Sequence, residues 1–241
     1  MPSNSIRKQL MAMYQALFSA YGQQHWWPGD SPVEMMIGAV LTQNTAWVNV
    51  NKAIVNLKRE GPLTVVRLRK LAPRKLAALI RPSGYYNVKA RRLANLMECR
   101  GGRYDGSPAR MLLEDPDELR RGLQSVNGVG PETADAIMLY AAGHPTFVVD
   151  AYTKRIFARH GLVTGDDGYH DIQRLFHENL SRDVRLFNEY HALIVRLAKE
   201  RCRKRESRCS GCPLEQFPHV ACEKAPAKIK ILKRPRRSHK I

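Results

Sequence analysis

Two glycines constrain this chain more than any other feature. Gly128 and Gly130 flank Val129, between a helical pattern ending near Val126 and another starting at Pro131. The stretch predicts two helices joined by a tight hairpin. Glycine tolerates backbone angles that other residues resist, and it lets an outside group approach the main chain closely. Exposed N–H groups at the start of the following helix then suit an anion such as a phosphate. Val129 is expected to point inward and pin the two helices, and Pro131 at the first helical position loses no useful hydrogen bond. A plain connection is the alternative, since glycine commonly ends helices.

Past that second helix and Gly143-His144-Pro145, the apolar run Phe147-Val148-Val149 leads into Asp150, which opens another helix. An acid there has an ordinary use as an N-cap. Capping and chemistry are compatible, and the nearby hairpin favours chemistry.

Charge points the same way. The 241 residues carry 40 Lys and Arg against 22 Asp and Glu, a net +18. That excess attracts polyanions and speeds encounter with them; the competing reading is a merely basic surface. No run approaches the roughly 20 apolar residues that span a membrane, and MPSNSIRKQL lacks the apolar core of a secretory signal. These features predict no membrane association and a cytoplasmic, nucleoid-associated protein. The length suits one or two compact domains.

In order, helices are expected over 5–22, from Pro32 behind a Ser31 cap with Glu34 closing a capping box, over 47–58, and over 63–71 and 73–81. A basic helix follows from 88 to 99, then helices over 116–123, 131–142, 150–160, 169–180 and 184–201. Phe147–Val149 is short enough to be extended but has no partner strand, so the fold class is all-α. Residues 223–241 hold eight Lys or Arg and one acid, Glu223, and are expected to be disordered.

Four of the five cysteines follow the pattern Cys202-x6-Cys209-x2-Cys212-x9-Cys222. Four thiolates can hold a tetrahedral zinc or a [4Fe–4S] cluster, and the spacing alone leaves both open. Cys99 stands apart and is expected to be a partly buried free thiol.

Taken together, VNGVGPETADAI, VVDAYTKR, GAVLTQNT, GYYNVKARRLANL and the cysteines resemble the helix–hairpin–helix glycosylase superfamily that contains endonuclease III. The resemblance covers roughly residues 20–222. It implies two helical domains flanking a DNA cleft: a six-helix barrel-type domain over 32–143 with the hairpin, and a discontinuous one of 1–31 plus 144–222 with the cluster. It favours the [4Fe–4S] cluster on Cys202, Cys209, Cys212 and Cys222 over zinc, although the last gap is longer than the family's. It implies Asp150 as the acid: breaking a base–sugar bond builds positive charge on the sugar, which a carboxylate stabilises. The target base is buried in the duplex and must first be flipped out. It puts Gln43 and Tyr85 at positions that enter the gap, and Gly128, Val129, Gly130 and Thr133 against the backbone.

Bifunctional members carry a lysine two residues after the last hairpin glycine; here Glu132 stands there. A carboxylate cannot form an imine, and its ordinary use is to favour the helix dipole. Lys154 is the other amine considered for trapping an abasic aldehyde. Trp26, Trp27, Pro28 and Trp47 resemble the aromatic base pocket of the branch that removes 3-methyladenine; cationic or electron-poor bases suit indole faces. Core packing is the competing role for those tryptophans. The expectation is a monomeric, monofunctional glycosylase acting on double-stranded DNA with a damaged, alkylated purine. The alternatives are a mismatch-specific adenine or thymine glycosylase and a non-catalytic DNA-binding protein.

Overall fold

Helix follows helix from Ser3 to Glu200 in this computed structural model, which describes residues 3–103, 107, 110 and 113–220. The basic tail, Cys222 and the Cys99 side chain lie outside the described residues. In order come α1 (Ser3–Tyr21), α2 (Pro32–Leu41), α3 (Trp47–Arg59), α4 (Val65–Lys70) and α5 (Pro73–Leu79). A 3-10 turn at Arg81–Ser83 precedes α6 (Tyr86–Arg103), followed by α7 (Pro116–Gln124) and α8 (Pro131–Ala136). A π-helical segment, Ile137–Ala141, extends α8 and precedes α9 (Ala151–Arg159), α10 (Tyr169–Asn179) and α11 (Val184–Glu200). No strand occurs among the described residues, so the all-α class stands. None of the described helices is long and apolar enough to cross a membrane.

Local chemistry explains the starts. Pro32, Pro73, Pro116 and Pro131 occupy first-turn positions where the missing N–H costs nothing. Asp115, Asp150 and Asp183 cap α7, α9 and α11 by accepting from backbone N–H groups. Ser31 caps α2 as expected, accepting from the Glu34 N–H at 3.3 Å. Glu34 does not complete the box with Ser31. Its carboxylate accepts from the Asp30 N–H at 3.2 Å and pairs with Lys58 Nζ at 2.8 Å. α7 runs one residue past the expected 116–123, to Gln124, where Ser125 caps it.

Packing places α1 against α10 and α11, whereas α2 packs on α3, α6, α8 and the π segment. Phe147 forms the middle of an aromatic core, stacked on Phe176 at 3.6 Å and edge-on to Phe187 and Tyr190. Residues 146–149 belong to no helix or strand, yet their buried polar groups need partners. Side chains supply them: His177 Nε2 accepts from the Phe147 N–H at 2.8 Å, and Gln173 Nε2 donates to the Phe147 carbonyl at 2.8 Å. An accepting imidazole must be neutral, and burial, then Arg182, pushes the His177 pKa down to about 4. This buried strap delivers Asp150 to a fixed place.

Candidate active site

The hairpin is closed by Val129 N–H donating to the Val126 carbonyl at 3.0 Å, with both valines buried. Val129 thus points inward as expected. The two glycines have different reasons to be glycine. Gly128 has φ +96°, and a Cβ there would overlap the Arg92 side chain. Gly130 has an ordinary extended backbone as N-cap of α8, and a Cβ would meet no protein atom. The fold requires the first glycine; only a close approach from outside calls for the second. Gly128→Ala should lower stability by about 1–3 kcal/mol. Gly130→Ala should leave the melting temperature within error and weaken DNA binding, which a melt and a titration on one sample distinguish.

Gln43 does not project freely from the loop after α2. Its Nε2 donates to the Gly128 carbonyl at 3.1 Å and to Thr133 Oγ1 at 2.9 Å, while Arg92 donates to its Oε1. The amide and Thr133 therefore line one groove with the hairpin. Tyr85 stands on the next loop, 73% exposed, with φ +45°.

Asp150 divides its two oxygens between roles. Oδ1 caps α9, accepting from the Thr153 N–H at 2.7 Å and the Thr153 hydroxyl at 2.9 Å. Oδ2 lies 3.7 Å from His191 Nε2. Burial pushes the carboxyl pKa up, but His191 and the Thr153 hydrogen bonds outweigh it and leave the pKa below the ordinary range. His191 Nδ1 sits 2.6 Å from the buried Tyr140 hydroxyl. Burial, and then the Asp150 charge, pushes that phenol's pKa up, so it stays protonated.

Tyr140 also joins the tryptophans. Its ring is 5.0 Å from Trp27, and Trp47 lies 5.1 Å from both Trp26 and Trp27. All three indoles are half-buried, and Pro28 is exposed. Trp27 rests on α2, where a Cβ on Gly38 would come within 2.6 Å of its ring. Trp27 therefore packs, as one of two adjacent tryptophans often does. The indole N–H of Trp27 has no hydrogen-bond partner in the protein.

Glu132 opens onto the groove beside the hairpin. Loss of water on its protein side, then the Asp150 charge, pushes its pKa up to about 6; His191 opposes this. A carboxyl raised in the fold stabilises the folded state below its unfolded pKa and loses that contribution as pH rises through about 6. With the exposure of this side chain discounted, the contribution is about 1 kcal/mol. Glu132→Gln should thus be the more stable protein at pH 7.5, with the difference vanishing near pH 4.5 in paired thermal melts. Lys154 turns elsewhere and donates to the Asp167 carbonyl at 2.7 Å.

Asp135, read in the sequence only as part of the stretch after the hairpin, is fully buried and saturated. Arg120 pairs with it through Nε at 2.7 Å and Nη2 at 2.9 Å, while Tyr169 OH and Gln173 Nε2 each donate to it at 2.7 Å. It ties α7, α8, α10 and the strap before Asp150 together. His191, Tyr140 and Asp135 gave no local signal, because each acquires its meaning only through helices far apart in sequence.

Cys202, Cys209 and Cys212 line one cavity with Leu197, Leu214 and Arg159. Arg159 donates to Cys202 Sγ at 2.9 Å. Burial, and the neighbouring sulfurs, push the Cys212 thiol pKa up; a bound cation reverses that preference. Among the described residues, no three His, Cys, Asp or Glu side chains converge closely enough for one metal ion.

Residues 37–182 match the family described as HhH-GPD superfamily base excision DNA repair protein. The chain is 45% identical over 212 residues to a protein of Methanocaldococcus jannaschii provisionally named a DNA repair glycosylase, across 87% of this chain and 96% of that one. It is also similar to the Helicobacter pylori 3-methyladenine DNA glycosylase bound to 1,N6-ethenoadenine, with 27% identity, 81% and 97% of the two chains covered, and a TM-score of 0.69. A trapped endonuclease III–DNA covalent intermediate superposes with a TM-score of 0.75 at 24% identity, over 88% and 94% of the chains. That likeness speaks for the fold.

Proposed function

The chain belongs to the HhH-GPD superfamily of base excision DNA repair proteins and is a DNA glycosylase; from that premise we propose that it excises N-alkylated purines and leaves the strand uncut. The observation that carries this reading is the short chain of contacts from Asp150 through His191 and Tyr140 to the tryptophans. It puts a carboxylate held ionised beside a group of indoles. Alkylated purines are cationic or electron-poor and stack favourably on such faces. Their glycosidic bonds are already labile, so selection by stacking suffices and Asp150 supplies the negative charge that the sugar cation needs. The H. pylori relative, a 3-methyladenine glycosylase, supports the same substrate class.

Glu132, in the lysine's place, and Lys154, bound to a carbonyl, support a monofunctional reaction. In this reading the hairpin holds the backbone of double-stranded DNA, a monomer suffices, and Gln43 and Tyr85 enter the duplex where the base leaves it. Gln43 must first release Gly128 and Thr133. Cys202, Cys209 and Cys212, with Cys222, would hold a [4Fe–4S] cluster, which braces the basic loop between the first two ligands against DNA.

A set of duplexes with single lesions tests the reading. Release of 3-methyladenine and 7-methylguanine is expected, and Trp47→Ala should slow it about 10–100-fold through the lost stacking of roughly 1–3 kcal/mol. Activity confined to G·T mismatches or oxidised pyrimidines overturns the substrate assignment.

A further inference from the structure

Lys89 is the most completely buried cation among the described residues, at 1% exposure. Its ammonium donates to three acceptors: the Leu41 carbonyl at 2.7 Å, Thr45 Oγ1 at 2.6 Å and the Ser83 carbonyl at 2.8 Å. These belong to the end of α2, to the loop of residues 42–46, and to the 3-10 turn before Gly84-Tyr85. Thr45 Oγ1 in turn donates to the same Ser83 carbonyl at 2.6 Å. One ammonium and one hydroxyl thus cross-link two surface loops.

Both loops hold backbone conformations that non-glycine residues avoid: Asn44 has φ +53° and Tyr85 φ +45°. Such conformations persist only where the surroundings over-determine them. One helical turn past Lys89, Arg92 reaches Gln43 and packs on Gly128. Lys89 and Arg92 of α6 therefore contact the 42–46 loop, the 3-10 turn before Tyr85 and the hairpin. Burying a charge is costly, and burial drives the Lys89 pKa down to about 8, with Arg92 adding to the effect. A methionine would fill the same volume at lower cost if packing were the whole purpose.

We propose that Lys89 is a positioning residue that fixes the separation of the 42–46 and 83–85 loops, so that Gln43 and Tyr85 enter the duplex as one rigid pair during base extrusion. This rests on the reading of Gln43 and Tyr85 as the residues that enter DNA. The role is separable from chemistry, because Lys89 touches neither Asp150 nor its neighbours in the contacts above.

The test compares Lys89→Met, Thr45→Val and Thr45→Ser in the full chain. Each is assayed under single-turnover conditions on one alkylated purine presented in a duplex and in a single strand, where no extrusion is needed. Lys89→Met and Thr45→Val should slow release from the duplex by about 10–100-fold, the order that a 1 Å misplacement produces. Release from the single strand should change by less than about threefold, and Thr45→Ser should retain duplex activity. Equal losses on both substrates, or none on either, overturn the proposal. A 2-aminopurine beside the lesion reports extrusion independently of cleavage: its fluorescence rise on binding should be lost in Lys89→Met at saturating protein, and an unchanged rise overturns the proposal. If the wild type releases no base while that rise is intact, the catalytic reading fails and the positioning role stands.

Discussion

Asp150→Asn lowers the rate of base release by about 10³-fold while DNA binding is retained. Asparagine is as good an N-cap as aspartate, so its side-chain oxygen can still accept from Thr153 and α9 keeps its start. What disappears is the negative charge near His191 Nε2. A melt close to that of the wild type, with release lost, separates charge from cap. Release that survives the change places the chemistry elsewhere.

Asp135→Ala destabilises the protein by about 3 kcal/mol, the lower end of the range for breaking a buried pair, because Arg120 is partly exposed and can regain water. For a chain of this size that corresponds to a fall of about 10 °C in melting temperature. Tyr169 and Gln173 lose their shared acceptor as well. The exposed Arg174–Asp171 pair provides the contrast: Arg174→Ala should cost less than about 0.5 kcal/mol. Equal effects from the two substitutions would show that Asp135 does not bind α7, α8 and α10 together.

The sequence made local features legible. The glycine hairpin, the proline-led helix starts and the acid before α9 are all written in short stretches, and each is where those stretches put it. Val129 could be read as inward-facing for the same reason. Partnerships across the fold could not be read this way. His191 lies forty-one positions after Asp150 on an apolar helix, where a histidine looks like core. Lys89 sits in a run with Arg91 and Arg92 that looks like a solvated basic face, yet one helical turn divides a buried ammonium from the cleft-facing Arg92. Gln43 was legible as a polar interruption, but its attachment to Gly128 and Thr133 depends on how α2 meets the hairpin. The π segment that contains Tyr140 has no signature in a run as evenly apolar as Ile137–Ala141. Phe147–Val149 looked like a strand without a partner; its backbone is satisfied instead by Gln173 and His177.

The pair Asp150 and Glu132 carries the central claim, because in the proposed reaction the first supplies the charge for base removal and the second stands where a lyase would need an amine. Strand integrity on a duplex with a single 7-methylguanine tests that claim most directly, followed on a denaturing gel before and after alkali. An intact strand that breaks only after alkali, in step with base release, is the predicted result. Breakage without alkali, at the rate of base release, would contradict it.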